Sequence, residues 1–192
     1  MRIRNPIRVS QHSIVLGEYM KTLVVTHEIR QAKITVDDRH AFLRRIQAIA
    51  RSYSTHIVCF DADKLAGRAH AEAAIQHAYR SFFSEKPISN SFEMEALLFA
   101  AGSRQCLVAA LFGIQEGENR MFVCSYPVNE DIWQDLSPYM HFETETWDEI
   151  TPDKEARLMI LFSITQEELD VVGRDRMKDL ILERIALLHV KR

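Results

Sequence analysis

The sequence predicts a single α+β domain with a small, largely antiparallel β-sheet packed by several α-helices. Two observations favour this class. Helix-like and strand-like segments alternate along 192 residues without a repeat or a linker, and the strand-like segments lack regular βαβ spacing. A hydrophobic fraction of 47% suits one core at this length. We therefore expect residues 1–192 to form one domain, with residues 1–12 as a flexible basic tail.

The first part of the chain predicts a strand, a helix and a second strand. Residues 19–29 are rich in β-branched and aromatic side chains, which favours a strand. A helix then runs through Ser52, with Asp37 or Asp38 as its N-cap and apolar residues at helical spacing. Residues 56–60, "HIVCF", indicate a short buried strand.

Three helices are predicted in the centre of the chain. The first follows "DADKLAG", ends near Ser84 and presents an alanine-rich face. The second is capped by Ser89 or Ser91 and ends at Gly102, because glycine suits the positive φ of a helix end. Ser103 then caps a third helix over residues 104–112.

The last part of the chain is mixed in character. Residues 120–128 and 157–164 each read as a strand, and the acidic stretch 129–153 fits no regular element. Thr165 is predicted to cap a short helix. Residues 174–188 predict a terminal helix with a wide apolar surface.

Charge and composition restrict the classes of function. Residues 1–112 carry 15 basic and 10 acidic side chains, and residues 113–192 carry 9 and 17, so the first part is the better candidate to meet an anion. The apolar runs are shorter than a membrane span, the N-terminus lacks a secretory signal, and the three cysteines have no CxxC spacing. We therefore expect a soluble protein of the reducing cytoplasm.

The motifs favour a non-enzymatic protein without a cofactor. No glycine-rich phosphate loop is present, so no nucleotide cofactor is predicted. His70 and His77 stand about 10 Å apart on one helix, too far to share a zinc ion, and no metal is predicted. Ser103 suits a helix cap, and Cys106 suits inert packing in an apolar helix.

Asp61, Asp63 and His70 leave an enzymatic alternative open. Two carboxylates beside a strand end and a nearby histidine could perform acid–base chemistry in a small stand-alone enzyme. The competing interpretation is that Asp61 and Asp63 cap the helix that follows them.

Cationic and polar side chains near the ends of the central helices form a candidate anion-binding set. Its members are Lys64, Arg68, His70, Lys86, Arg104 and Gln105. Arg104 and Gln105 follow a predicted helix cap and could hold a phosphate at a helix N-terminus. Alternatively, Arg104 pairs with Glu93 or Glu95 and braces the corner between two helices.

Three blocks carry a family resemblance. They are "FDADKLAG" with His70 three residues beyond it, "SFEMEALLFAAGSRQ" at residues 91–105, and "ILERIALL" at residues 181–188. In this order they resemble the small regulatory subunit of the KEOPS complex, the family that includes the PRPK-binding protein. The resemblance runs from about residue 23 to the C-terminus and is loosest in the acidic stretch 129–153.

This resemblance implies a non-catalytic role in making N6-threonylcarbamoyladenosine in transfer RNA. It implies that the subunit binds a kinase-like ATPase subunit, stimulates the complex and helps to recruit tRNA by its 3′ CCA end. A single-stranded end is bound by cationic contacts and stacking, so the six residues above are the predicted tRNA site. A protein-only adaptor without nucleic-acid contact is the other alternative.

The terminal helix is the predicted partner surface. Its apolar residues cover more of its circumference than packing on one side requires, and Leu182, Ile185 and Leu188 represent that surface. The resemblance makes the ATPase subunit the expected partner. A fully internal helix would show the same pattern, so a core position for these residues remains the alternative.

Overall fold

The computed structural model describes residues 26–84 and 87–189, and in this part of the chain it shows an α+β architecture. Four strands alternate irregularly with eight α-helices. The strands are β1 (Glu28–Val36), β2 (His56–Asp61), β3 (Gly117–Tyr126) and β4 (His141–Glu143). The helices are α1 (Arg39–Ser52), α2 (Arg68–Phe82), α3 (Phe92–Ala101), α4 (Cys106–Ala110), α5 (Ile132–Leu136), α6 (Pro152–Phe162), α7 (Gln166–Val172) and α8 (Met177–Ala186).

The four strands form one antiparallel sheet in the order β2-β3-β1-β4. His56 pairs with Tyr126, and Glu28 pairs with Ser125, so the central strand β3 is covered on both edges. The predicted fold class is thereby confirmed. β2 and β4 are the edge strands of this sheet, so one edge of β2 is not paired with another described strand.

Helices cover both faces of the sheet, because side chains of β3 are buried on both faces. Its successive side chains alternate between two buried clusters, as the period of a strand requires. Phe122 and Cys124 belong to the larger cluster, with α2, α3, α6 and α8. Met121 and Val123 belong to the smaller cluster, with α1 and α5. The sheet is therefore the middle of three layers.

Several local predictions are confirmed by the capping groups. The Asp38 side chain accepts a hydrogen bond from Ala41 N at the start of α1, and Ser91 accepts one from Met94 N at the start of α3. Gly102 ends α3 with a left-handed φ of 58°. Thr165 and Glu168 form a complete capping box at α7.

The predicted strand over residues 157–164 is wrong. These residues belong mostly to α6, whose N-cap Thr151 accepts from Lys154 N and is followed by Pro152 at the first helical position. Proline has a φ that suits this position and lacks only an N–H that would be unpaired there. Leu158 and Phe162, one helical turn apart, are buried, so the apolar run packs through one face of a helix.

Other boundaries also differ from the predictions. β1 begins at Glu28, where the predicted strand was ending; residues 19–25 of that strand, and the predicted tail, lie outside the described residues. The helix after Gly102 is shorter than predicted and has Gln105 as its N-cap, because Ser103 Oγ instead accepts a hydrogen bond from Gln105 N. The acidic stretch contains α5 and β4. The terminal helix starts and ends in single 3₁₀ turns.

Candidate nucleic-acid interface

A cleft of about 470 Å³ lies between α1, the free edge of β2 and the start of α3. We call it the β2 cleft. Its apolar lining comes from all three elements and includes Leu43, Ile46, Ile57, Met94 and Leu97. Such a mixture of apolar walls and a few polar groups is typical of ligand sites.

The floor of the β2 cleft is a short stretch of open strand edge. Asp61 N donates to Phe112 O, away from β3, which fixes the side to which the odd-numbered peptide groups of β2 point. The N–H and C=O groups of Ile57 and Cys59 therefore also point away from β3, and both residues line the cleft. These groups can hydrogen-bond a bound molecule.

Aromatic rings lie at one end of the β2 cleft. The His56 ring centroid is 4.8 Å from that of Phe92, which in turn is 4.9 Å from Tyr126. Phe82 meets Phe92 edge to face at 5.8 Å. His56 and Phe82 are partly exposed where they line the cleft, whereas Phe92 is 0% exposed and supports them from the core, so the cleft offers two rings as well as backbone groups.

The charges around the β2 cleft are mostly positive. Arg39 and Arg51 of α1 contribute to its lining, and Glu93 is the acidic member of the described lining. Glu93 Oε1 lies 2.7 Å from His56 Nδ1. Burial is the largest single influence and raises the pKa of Glu93, but hydrogen bonds from His56, the Glu93 backbone and Ser91, together with the electrostatic attraction of His56, outweigh it, and the pKa falls below its ordinary value.

The predicted tRNA-binding cations do not converge on this cleft. Lys64 Nζ lies 2.5 Å from Asp61 Oδ2 and also donates to Leu111 O. Arg68 Nε pairs with Glu72 at 3.0 Å, one helical turn away. Each of these two charges is therefore partly compensated by its own neighbour.

Arg104 and Gln105 lie at the corner between α3 and α4. Arg104 Nη1 donates to Leu188 O at 3.3 Å, so Arg104 braces the 3₁₀ turn that follows α8. The suggested brace to Glu93 or Glu95 is wrong, because Glu93 pairs with His56 and Glu95 accepts from the backbone of residues 88 and 89. Gln105 is exposed, and Lys86 lies outside the described residues.

His70 is placed in the core and cannot meet tRNA in the folded protein. Its side chain is 1% exposed. Nδ1 accepts from Ala66 N at 3.1 Å, which makes Nε2 the donor to Ala100 O at 3.0 Å. Burial lowers the pKa of His70 to about 4, so the ring is neutral at pH 7. Its prediction as a tRNA ligand is corrected to a structural role.

The two aspartates of the enzymatic alternative also have structural contacts. Asp61 pairs with Lys64 and accepts a hydrogen bond from Asp63 N, while Asp63 pairs with Arg120 at 3.0 Å. Neither caps α2, whose first N–H group is bound by the distant Asp148. The buried His70 ring has both nitrogens occupied, so these three side chains do not form an acid–base set.

The predicted partner surface on α8 is largely internal. Ile185 is 0% exposed and Leu188 is 3% exposed, and both belong to the larger core cluster. Leu182 is only partly buried against that cluster. The interior alternative is thus correct for Ile185 and Leu188, and Leu182 is the remaining candidate contact.

The described residues contain neither a metal-binding cluster nor a membrane-spanning helix. In residues 26–84 and 87–189, no three histidine, cysteine, aspartate or glutamate side chains are grouped so that they could hold a metal ion. No helix in these same ranges has the length and apolar character needed to cross a membrane.

Comparison with known proteins supports the family resemblance. No protein-family model matches the chain. The chain is 29% identical over 134 residues to the regulatory protein Cgi121 of Methanocaldococcus jannaschii, an alignment that covers 69% of this chain and 82% of the relative. The relative is named as a regulatory protein, and the match agrees with the family that the three sequence blocks indicated.

The sequence reasoning missed the residues that line the β2 cleft. Arg39 and Arg51 belong to a helix that was predicted correctly but was considered only for its apolar face. Its sequence, RHAFLRRIQAIARS, contains four arginines and no carboxylate. This local excess of positive charge was the available signal.

Proposed function

We propose that this chain is a non-catalytic regulatory subunit of the KEOPS complex, in which it serves the synthesis of N6-threonylcarbamoyladenosine in tRNA. In this proposal it works in the cytoplasm, binds the kinase-like ATPase subunit and helps to recruit tRNA through the 3′ CCA end. The similarity to a regulatory protein and the three family blocks support the regulatory role.

The observation that carries the tRNA part of the proposal is the β2 cleft. A single-stranded end needs cationic contacts, ring faces for its bases and hydrogen-bonding groups for their edges. The cleft combines Arg39 and Arg51 with the partly exposed His56 and Phe82 rings and an open strand edge. Lys64, Arg68, Arg104 and Gln105 remain proposed as supplementary contacts outside it, and Lys86, which is not among the described residues, remains a proposed contact.

The test is direct binding of tRNA to the purified full chain. Anisotropy titrations compare a labelled tRNA transcript that ends in CCA with the same transcript lacking these three nucleotides. We expect markedly weaker binding of the shortened transcript. Equal affinities would refute recognition of the 3′ end, and no binding of either would favour the protein-only adaptor.

A second experiment tests the partner. The tagged chain is expected to retain the kinase-like ATPase subunit in a pull-down with purified components. Leu182→Arg, which places a charge at this partly buried apolar position, is expected to reduce this retention if α8 contributes to the contact. If neither the wild-type chain nor the Leu182→Arg variant retains the ATPase subunit, the KEOPS assignment is refuted.

A further inference from the structure

We propose that one side of α1 is the phosphate-binding wall of the β2 cleft, with His40, Arg44 and Arg51 in a row and Arg39 deeper in the same wall. The proposal rests on the tRNA role above and assigns the RNA backbone contact to residues outside the predicted tRNA set.

The row follows from helix geometry. His40, Arg44, Gln47 and Arg51 are spaced i, i+4, i+7 and i+11, so their side chains share one side of α1. At about 1.5 Å per residue the row is roughly 16 Å long. Gln47 and Arg51 line the β2 cleft, and the row therefore follows its rim. All four side chains are exposed.

The arginines of α1 differ from most of the other arginines of the described residues in their ion pairing. Six arginines elsewhere form ion pairs with carboxylates, namely Arg30, Arg68, Arg120, Arg174, Arg176 and Arg184. Within the described residues, the four arginines of α1 form no such pair. Arg45 lies on the other side of the helix, over the Tyr139 ring at 4.8 Å. The N-cap Asp38 attracts Arg44 and His40 electrostatically, but its side chain bonds backbone N–H groups and forms no ion pair with them, so a polyanion meets the row without first breaking an ion pair.

Arg39 provides a second, independent observation. It lines the β2 cleft, and its Nε is buried without a hydrogen-bond partner among the described residues. A buried donor without a partner is costly, because its water is lost and not replaced. A phosphate oxygen at the cleft would supply the acceptor that this donor lacks.

The open edge of β2 favours a polynucleotide over an acidic peptide. An added peptide strand needs several consecutive free backbone groups. Here Thr55 N is already bonded to Ala50 O, and Asp61 N to Phe112 O, which leaves the peptide groups of Ile57 and Cys59 between them. Two residues are too few for a strand. They do suit the hydrogen-bonding edge of a base whose phosphate lies on α1.

The experiment compares two double variants of the full chain that remove the same charge. Arg44→Gln with Arg51→Gln changes the row, and Arg174→Gln with Arg176→Gln changes exposed arginines after α7. Binding of the tRNA transcript and of a single-stranded oligouridine is titrated at several salt concentrations. Thermal unfolding verifies that both variants are folded.

We expect the row variant to lose about tenfold in affinity for both RNAs at low salt. The salt slope, which is the slope of the logarithm of the binding constant against the logarithm of the salt concentration, should become shallower by about 1.4, the contribution of two phosphate contacts to a single strand. The control variant should keep the wild-type slope. Equal slopes for the two variants overturn the proposal. Loss of the ATPase subunit with unchanged RNA affinity overturns it as well, because the row would then be a protein interface.

The outcome is separable from that of the proposed function. Recognition of the CCA end is read from the two transcripts with the wild-type chain. The role of the row is read from the salt slope, including that of the oligouridine, which has no CCA end. Wild-type protein that binds neither RNA overturns both proposals, and each of the other results affects only one.

Discussion

His56 Nδ1 lies 2.7 Å from Glu93 Oε1, and this contact joins the edge strand β2 to the first turn of α3 across one end of the β2 cleft. The pair combines two opposing effects. It holds the cleft walls at a fixed spacing, and it places the acidic member of the described lining beside the surface proposed to receive phosphates.

Replacement of Glu93 separates these effects. Glu93→Gln keeps the shape of the side chain and removes its charge, so we expect tRNA affinity to rise by a few-fold as a repulsion is lost. Both side chains of the pair are about one-third exposed. The cost in the free energy of unfolding should therefore be about 1 kcal/mol or less.

The measurement pairs anisotropy titrations with urea unfolding. Glu167→Gln is the control, because it removes one negative charge from an exposed position on α7. A Glu93 variant with weaker tRNA binding than the control would show that the geometry of the cleft outweighs its charge.

His70 should give the protein an acid-sensitive stability. The pKa of the buried ring is about 4, against an ordinary value of 6.5, so between these pH values the unfolded chain binds more protons than the folded one. The free energy of unfolding must then fall as pH decreases from about 6.5 to about 4. The full effect of one such group is on the order of 3 kcal/mol.

His70→Gln, which cannot titrate, should lower stability at pH 7 and also reduce its pH dependence. Urea unfolding between pH 4 and pH 7 measures both quantities. The exposed His141→Gln should leave the wild-type dependence intact, since its side chain is outside the core. If the His70 variant shows the full wild-type pH dependence, another group is responsible for it.

Local signals in the sequence predicted much of the fold, and distant contacts account for what they missed. Asp38, Ser91 and Thr165 cap helices through hydrogen bonds to residues three positions away, so adjacent sequence is sufficient to locate them. The run 157–164 shows the opposite case. Its hydrophobicity indicates burial but does not decide between a strand and a helical face, whereas Thr151 and Pro152 just before it do.

The site was less predictable than the fold for the same reason. The positive charge of Lys64 is compensated by Asp61, three residues away in the sequence, and this ion pair could have been anticipated. The open edge of β2 depends on strand order, which no local pattern specifies. The burial of His70 depends on α3, whose residue Ala100 accepts its hydrogen bond.

Gly102 provides a test of backbone conformation. Its φ of 58° is disfavoured for side-chain-bearing residues, although a Cβ would meet its nearest neighbour, Ile185 Cγ2, at an ordinary 3.8 Å. Gly102→Val should therefore destabilise the protein by about 1–3 kcal/mol through the backbone. Gly102→Asn should cost less, because asparagine tolerates left-handed φ. Equal unfolding midpoints for the two variants would contradict this explanation.

The last prediction concerns the C-terminal region of the described residues, where Leu182 and Leu188 have different environments. Leu188 is 3% exposed in the larger core cluster, and Leu182 lies only partly buried at its margin. Leu188→Arg would bury an unpaired charge, and we expect it to unfold the protein or to lower its melting temperature severely. Leu182→Arg can extend its charge to water and should remain folded.

The two variants also decide whether α8 contributes to the proposed ATPase contact. Circular dichroism melting first establishes folding, and a pull-down with the ATPase subunit then measures retention. A folded Leu182→Arg protein that loses the ATPase subunit would place the interface at this margin of α8. Exposed Leu107 on α4, replaced by arginine, is the matched control, because it adds the same charge to an apolar surface position. If Leu182→Arg retains the subunit as well as the wild type does, the docking surface lies elsewhere and α8 serves the core alone.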